Sequence, residues 1–283
     1  MNLEKICEVA PNTDATFNMG MYKHMCEVAL VSAKEAGRVL IRYFRKGVPV
    51  KYKTARNPVT IADHLSQKRI VRLIKRSFPD HKTICEESSD ECATKPSHGE
   101  SEYSWVIDPL DGTVNFIHGL AQFCVSIGVL HRDEPVVGVI YNPVTNELFS
   151  AVKGVGTYRN GRRVYVSSTA TLNKSLLVTG FPYYVVGKSR RVMRNMNRFI
   201  VRTEGVRRLG SAALDMAYVA CGTFDGFWEE GLNPWDVAAG TIIVSEAGGK
   251  VTDYSGKNKF MFGREMVASN GKIHNAIVRV LNS

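Results

Sequence analysis

The chain has 283 residues, 44% of them hydrophobic and 23% charged, with 37 Lys and Arg against 27 Asp and Glu for a net charge of +10. This length carries a sizeable core, and the composition is that of an ordinary soluble globular protein, which sets aside the disordered classes. No apolar run is long enough to span a bilayer, and the basic balance suits an anionic partner: nucleic acid, a membrane surface or a phosphorylated small molecule.

The first eighteen residues have no long apolar stretch and read as a loosely held extension, not a secretory signal. From Met21 to Phe44, apolar or small residues (Met25, Val28, Ala29, Ser32, Ala36, Val39, Leu40, Tyr43) recur at helical spacing, and Gly47 and Pro49 stop the helix. A short strand and loop follow over 48–63. A second helix, HLSQKRIVRLIKRSF, gathers Ile70, Val71, Ile74 and Phe78 on one face and ends at Pro79. KTICEESSD and SEYSWVIDPLDG are both strands that run into acid. The stretch 123–152 is rich in strands, with turn signals at 132–135 and Asn142-Pro143. TYRNGRRVYVS is a hairpin with Asn160-Gly161 at its tip.

SLLVTGFP is a further strand. Two helices, SRRVMRNMNRFI and SAALDMAYVACG, flank the short strand VRRLG. Pro234 opens a last long helix, as proline favours a first turn, and Gly248-Gly249 close it before the strand KVTDY. Strand blocks and helices in this order predict a mixed α/β (α+β) fold, not a regular βαβ repeat. The six cysteines (Cys7, Cys26, Cys85, Cys92, Cys124, Cys221) form no Cys-x-x-Cys. They are read as free thiols in a reducing compartment.

The chemistry lies in the acids. Asp63 precedes a helix, Glu86 and Glu87 end a strand, Asp108 and Asp111 bracket Pro109-Leu110, and Asp236 sits in the first turn of the last long helix. Taken singly, each has a plain structural reading as a cap, a helix-dipole partner or a solvated turn. The pair Asp108 and Asp111 is harder to read that way, because the buried-looking Trp105-Val106-Ile107 delivers two like charges to one place. Such charges raise each other's pKa unless a cation lies between them. Carboxylates with a backbone carbonyl suit a hard divalent cation, whereas zinc would want histidine or cysteine. Beyond Asp111, Gly112 permits close backbone approach, and a short helix opening at Thr113 would offer free N–H groups to an anion. A cation cluster beside such a helix start is the outline of a phosphoryl-transfer site.

WVIDPLDGTVNF, with EES upstream and NPWDVAAGTIIVSEAGG downstream, resembles the inositol monophosphatase family of magnesium-dependent, lithium-sensitive phosphatases. The resemblance runs from about Met21 to the end and includes VTIAD, VGTYRNGRRVYVS and the ASNGKIHNAIV tail. It implies a layered αβαβα fold of the inositol monophosphatase and fructose-1,6-bisphosphatase type. It also implies a homodimer and a cytoplasmic location. Residues 1–18 would be an extension and 19–283 one phosphatase domain, with a metal-binding half over about 19–160 and a substrate-wall half over about 161–283.

The resemblance assigns Glu86, Asp108, Asp111, Asp236 and the Leu110 carbonyl to the metal, about two or three Mg²⁺ per site. It places phosphate on Asp111, Gly112 and Thr113. Asp63 and Thr113 form a pair that orients the attacking water, and Glu87 supports the cluster. Glu229 and the turn Gly210-Ser211-Ala212 hold the polyol, with Glu86 and Asp236 also reaching the substrate. The implied substrate is a small polyol phosphate monoester, foremost myo-inositol monophosphate. Histidinol phosphate, fructose 1,6-bisphosphate and nucleotide 3′-phosphates are the alternatives, with a non-catalytic RNA- or protein-binding member further off.

Two positions depart from the family pattern or need a choice. Asn233 stands where some animal members have histidine, and Glu230 beside Glu229 is expected to be solvated. Neither a membrane nor a nucleic acid is an expected partner. The basic run from Lys188 to Arg208 has eight Lys and Arg against one Glu, but Phe199 is its one aromatic residue, too few for a stacking series, and it reads as a solvated face. Trp105, Trp228 and Trp235 are expected as core anchors.

Overall fold

A computed structural model describes residues 13–54, 57–87, 92, 101–182 and 189–283. The chain begins with α1 (Thr13–Tyr43), the hairpin of β1 (Val50–Thr54) and β2 (Asn57–Thr60), and α2 (Ile61–Ser77). Next come β3 (Lys82–Cys85), β4 (Tyr103–Asp111) and the one-turn α3 (Thr113–Ile117). A meander follows: β5 (Cys124–His131), β6 (Glu134–Asn142), β7 (Glu147–Val152), β8 (Gly156–Arg159) and β9 (Arg162–Arg163). The second half comprises β10 (Leu176–Thr179), α4 (Ser189–Ile200), β11 (Gly205–Arg207), α5 (Ala212–Ala220), β12 (Gly226–Glu230) and α6 (Pro234–Glu246). The chain ends with β13 (Lys250–Thr252), α7 (Phe260–Gly263), β14 (Glu265–Ser269) and α8 (His274–Leu281).

Among the described residues, β3 to β9 form one sheet in sequential order, with β3 parallel to β4 and every later pair antiparallel. A second sheet has the order β11-β10-β12-β14-β13. Side-chain alternation along the strands sorts the core into layers. Trp105 and Ile107 of β4 face Met25, Ala29 and Leu40 of α1 and Ile70 and Ile74 of α2. Val106, between them, faces the opposite way, into a cluster with Met216 and Ala217 of α5 and Val237 and Ala238 of α6. Phe227 of β12 and Ala268 of β14 close that cluster from the second sheet. Trp228 and Val267 face outward, onto Phe199 of α4 and Ile277 of α8. The layers therefore run helices, sheet, helices, sheet, helices, which is the αβαβα order implied by the family resemblance.

Helix α6 lies unusually close to the first sheet. Gly128 of β5 and Gly138 of β6 are direct cross-strand partners. A Cβ on Gly128 would meet the Ala238 side chain at 2.8 Å, and one on Gly138 would meet the Ala239 carbonyl at 2.5 Å. The two bare positions make a shallow trench in which the small face of α6 rests.

Three expectations need correction or extension. Helix α1 starts at Thr13, well before Met21, so residues 13–18 are helical; residues 1–12 lie outside the described residues. Cys85 and Cys92 are joined as a disulfide, not held as free thiols. The chain leaves β3 at Cys85 and returns so that the two Cα atoms are 5.8 Å apart, a separation that bridging geometry accepts. Cys26, Cys124 and Cys221 are free thiols, and Cys7 lies outside the described residues. Glu230 is buried, not solvated: strand alternation sends it to the same side as Trp228, where its carboxylate pairs with Arg191 of α4 at 2.7 Å. No helix among the described residues is long and apolar enough to cross a membrane.

Candidate active site

The acids are presented by interruptions in regular structure. β4 pairs with β5 through Asp108–Ser126 and Asp111–Cys124, so three steps along β4 match two along β5. This bulge turns the strand end and re-aims its side chains. The amide of Leu110 donates to Asp108 Oδ1 at 2.9 Å. Asp111 Oδ2 accepts from Ser211 Oγ at 2.6 Å and from the Ala213 amide at 2.8 Å. Ser211 is the N-cap of α5, so Asp111 ties the first sheet to the start of that helix.

Asp63 and Asp236 repeat one device on two helices. Each is the third residue of its helix and completes a capping box. Asp63 Oδ2 accepts from the Thr60 amide at 2.8 Å and the Thr60 hydroxyl at 2.7 Å. Asp236 Oδ2 accepts from the Asn233 amide at 2.7 Å. The capping role is thus real, and it occupies one oxygen of each carboxylate. Asp63 Oδ1 lies 3.3 Å from Thr113 Oγ1, which is also 3.0 Å from the Leu110 carbonyl. The single hydroxyl proton can serve one of these acceptors at a time. Gly112 caps α3 in the left-handed conformation, with φ of 92°.

Glu86 and Glu87 follow β3 and are held from two directions. Gln67 of α2 clamps the Glu87 backbone, donating to its carbonyl at 2.6 Å and accepting from its amide at 3.1 Å. Lys53 of β1 places its ammonium 3.0 Å from Glu86 Oε1 and also on the Glu87 carboxylate. A cationic side chain therefore sits against this edge of the acid cluster.

A cleft of about 500 Å³ gathers these groups. Glu86, Asp108, Leu110, Asp111, Gly112 and Thr113 line it from the first sheet and α3. Gly210, Ser211, Ala212, Glu229 and Asp236 line it from the second half of the chain. Asp63 and Glu87 stand behind this lining, in contact with Thr113 and Lys53 respectively. The sequence missed Lys53, Arg208, Trp235 and Arg264, which also line the cleft. Trp105 and Trp228 are buried as expected, and Trp235 packs against the core as expected while also lining the cleft. Pro234-Trp235-Asp236, the first turn of α6, was the signal that could have identified it.

Burial governs the electrostatics. It pushes the carboxyl of Glu86 up to about 7, with Lys53 opposing the rise and Glu87 adding to it. Asp108 is raised well above the usual carboxylate range by burial and then by the charges of Glu86, Asp111 and Asp236. Burial also raises Asp111, against the hydrogen bonds from Ser211 and Ala213, and it raises Asp236 together with the charge of Asp111. Glu229 is raised by burial, then by Asp236 and Asp111, with Arg208 opposing. Among the described residues, no trio of acidic, histidine or cysteine side chains is already drawn in to enclose an ion. The donor set is nonetheless all oxygen, buried and short of positive charge, which fits a hard divalent cation and not zinc.

Comparison with known proteins agrees with this chemistry. The sequence profile of the inositol monophosphatase family matches residues 21–283. The chain is 42% identical to the inositol-1-monophosphatase of Synechocystis, over 90% of this chain and 88% of that protein. It is 39% identical to Nus factor SuhB of Pasteurella multocida, over 88% and 92%. Among solved structures, inositol monophosphatase from Anabaena superposes with a TM-score of 0.80 at 42% identity, covering 92% of this chain and 96% of that one. The extragenic suppressor protein suhB of Bartonella henselae gives 0.86 at 36%, covering 92% and 99%. The chain belongs to the inositol monophosphatase family.

Proposed function

We propose that this protein hydrolyses a small polyol phosphate monoester, foremost myo-inositol monophosphate, to the free polyol and phosphate, with magnesium as cofactor. The observation that carries this reading is the convergence of Glu86, Asp108, Asp111 and Asp236 on one cleft, from a strand bulge, a strand end and a helix start, with Glu229 on the facing wall. Those four carboxylates and the Leu110 carbonyl would hold the metal. Magnesium, when bound, supplies the positive charge that offsets a phosphate dianion and makes water acidic enough to attack. Gly112 and Thr113, at the start of α3, would receive the phosphate through backbone N–H groups.

Thr113 donates its proton to Asp63 and so turns a lone pair toward the attacking water, fixing that water's orientation. The capping box keeps Asp63 in place for this task. Glu87 holds Lys53 beside Glu86 and thereby sets the charge at the edge of the cluster. Glu229 and the Gly210-Ser211-Ala212 turn would receive the hydroxyls of the leaving group. Lithium inhibition, a homodimer and a cytoplasmic site of action belong to the same reading.

The relatives named Nus factor SuhB, together with the net charge of +10, support a second reading in which the chain acts through an RNA or protein partner. Phosphate release separates the two. With Mg²⁺, a panel of myo-inositol monophosphate, histidinol phosphate, fructose 1,6-bisphosphate and a nucleotide 3′-phosphate should show turnover, fastest on the first. Chelation should abolish it and added Mg²⁺ restore it. Absence of phosphate release from every substrate with Mg²⁺ present would favour the second reading.

A further inference from the structure

Gly180 is the first residue beyond β10, and β10 pairs in parallel with β12 through Thr179 and Trp228. The pairing is locked at this point, because Thr179 Oγ1 donates to the Trp228 carbonyl at 2.6 Å. Gly180 is therefore held against the next residue of β12, which is Glu229. An ideal Cβ built on Gly180 would overlap both carboxylate oxygens and Cδ of Glu229.

The backbone does not require glycine here. Gly180 is absent from the positions with positive φ, so a side chain could be carried there without strain; what is missing is space. Nor is the Glu229 carboxylate fixed by hydrogen bonds, since none reaches it among the described residues. Its electrostatic neighbours are Asp236 and Asp111, which repel it, and Arg208, which attracts it. The Arg208 guanidinium is itself braced over the Phe181 ring at 5.6 Å. Shape, not hydrogen bonding, keeps the carboxylate where it is.

We infer that Gly180 is a positioning residue for recognition of hydroxylated leaving groups: its bare backbone is the seat of the Glu229 carboxylate, and any side chain there would drive the carboxylate out. Residue 180 then sets how far a polyol can enter and which hydroxyl meets the acid. This rests on the reading of the cleft as a polyol-phosphate phosphatase, and it assigns to a glycine without chemistry of its own a share in substrate choice.

The test is Gly180→Ala, assayed with Mg²⁺ on myo-inositol monophosphate and on para-nitrophenyl phosphate, whose leaving group has no polyol hydroxyls. Loss of one oriented hydrogen-bond acceptor should lower kcat/KM on the inositol ester by about 10-fold or more, chiefly through KM. The nitrophenyl ester should stay within about 3-fold. Glu229→Asp shortens the acid by one methylene, so in the Gly180→Ala background it should cost less than in the wild type, a coupling that a merely structural glycine would not show. Equal loss on both esters, unchanged selectivity or strict additivity would overturn the inference. A crystal structure of Gly180→Ala decides it independently of turnover: the Glu229 carboxylate should be displaced, and an undisturbed carboxylate refutes the idea. If the wild type hydrolyses neither ester, the phosphatase reading fails, while the crystal structure still answers for Gly180.

Discussion

On the wall assigned to the cation and the water, made by the first sheet and the starts of α2 and α6, Asp108, Asp111, Asp63 and Asp236 each have an oxygen fixed by a hydrogen bond from the chain. On the wall assigned to the polyol, Glu229 has no such bond among the described residues, and both oxygens of its buried neighbour Asp215 lack a hydrogen-bond partner there. Burial raises Asp215 well above the usual carboxylate range, and the charge of Glu229 raises it further. The contrast fits the roles proposed for the two walls. Groups that hold a cation or orient a water must be rigid to a fraction of an ångström, and hydrogen bonds to backbone amides give that rigidity. Groups that receive the varied hydroxyls of a polyol gain from unused hydrogen-bonding capacity, which a correct leaving group fills and a wrong one leaves unpaired. The rigid wall should thus govern rate on every substrate, and the loosely held wall should govern choice among them.

The strongest way to break this division is Asp236→Asn. Asparagine keeps the shape of the side chain, and its oxygen can still accept from the Asn233 amide as the reciprocal half of the capping box, so the fold should survive. Removal of the charge should cut kcat/KM by on the order of 10³-fold on every phosphate ester, with an unchanged or raised Tm in the absence of divalent cation. A defect confined to polyol esters would place Asp236 on the wrong wall.

A smaller effect is expected from Thr113→Ala. If the hydroxyl acts on the water, kcat should fall by about 10²-fold with little change in KM. Activity within about 3-fold of wild type would mean that Thr113 serves only the local turn around Leu110.

The smallest effect concerns stability behind the Glu229 wall. His274 joins β13 to β14, with one ring nitrogen 2.9 Å from Thr252 Oγ1 and the other 2.8 Å from Ser269 Oγ. Burial, and then the charge of Lys250, lowers its pKa to about 4, below the ordinary histidine value. The folded state keeps it neutral while the unfolded chain protonates near pH 6.5, so its stabilising effect is full above that pH and lost as pH falls toward 4. Between pH 7 and pH 5 the wild-type Tm should drop by a few degrees more than that of His274→Gln. Identical pH profiles would remove His274 from the acid sensitivity of this sheet.

The two walls were not equally legible in the sequence. Trp105-Val106-Ile107 before Asp108, and Pro234 before Asp236, are local signals, and both elements lie where periodicity and proline placed them. The family motifs carried the layered fold. Strand β12 escaped, because GFWEE shows neither clean alternation nor a turn signal while every one of its residues is buried. Only the family resemblance gave Glu229 a role, and Glu230 read as solvated. What buries Glu230 is Arg191, a partner on a different element, and such pairings leave no local trace. The same holds for Cys85 and Cys92, whose spacing matches no local cysteine motif and which the structure joins. Arg208 was visible only as one charge in a basic run; its place in the cleft comes from the turn at Gly210.

The trench formed by Gly128 and Gly138 bears on how members of this family drift over generations. Asp236 leads the helix that rests there, so its distance from Asp108 and Asp111 is inherited from a van der Waals contact in the core. A single methyl group on either glycine, in a closely filled interior, has to lift the helix or displace its neighbours. The acid cleft can thus be widened, narrowed or silenced by a mutation that touches no charged residue. A descendant could retain every acid of the motif and still lose turnover, and the acids alone would not reveal that the lineage had changed its occupation.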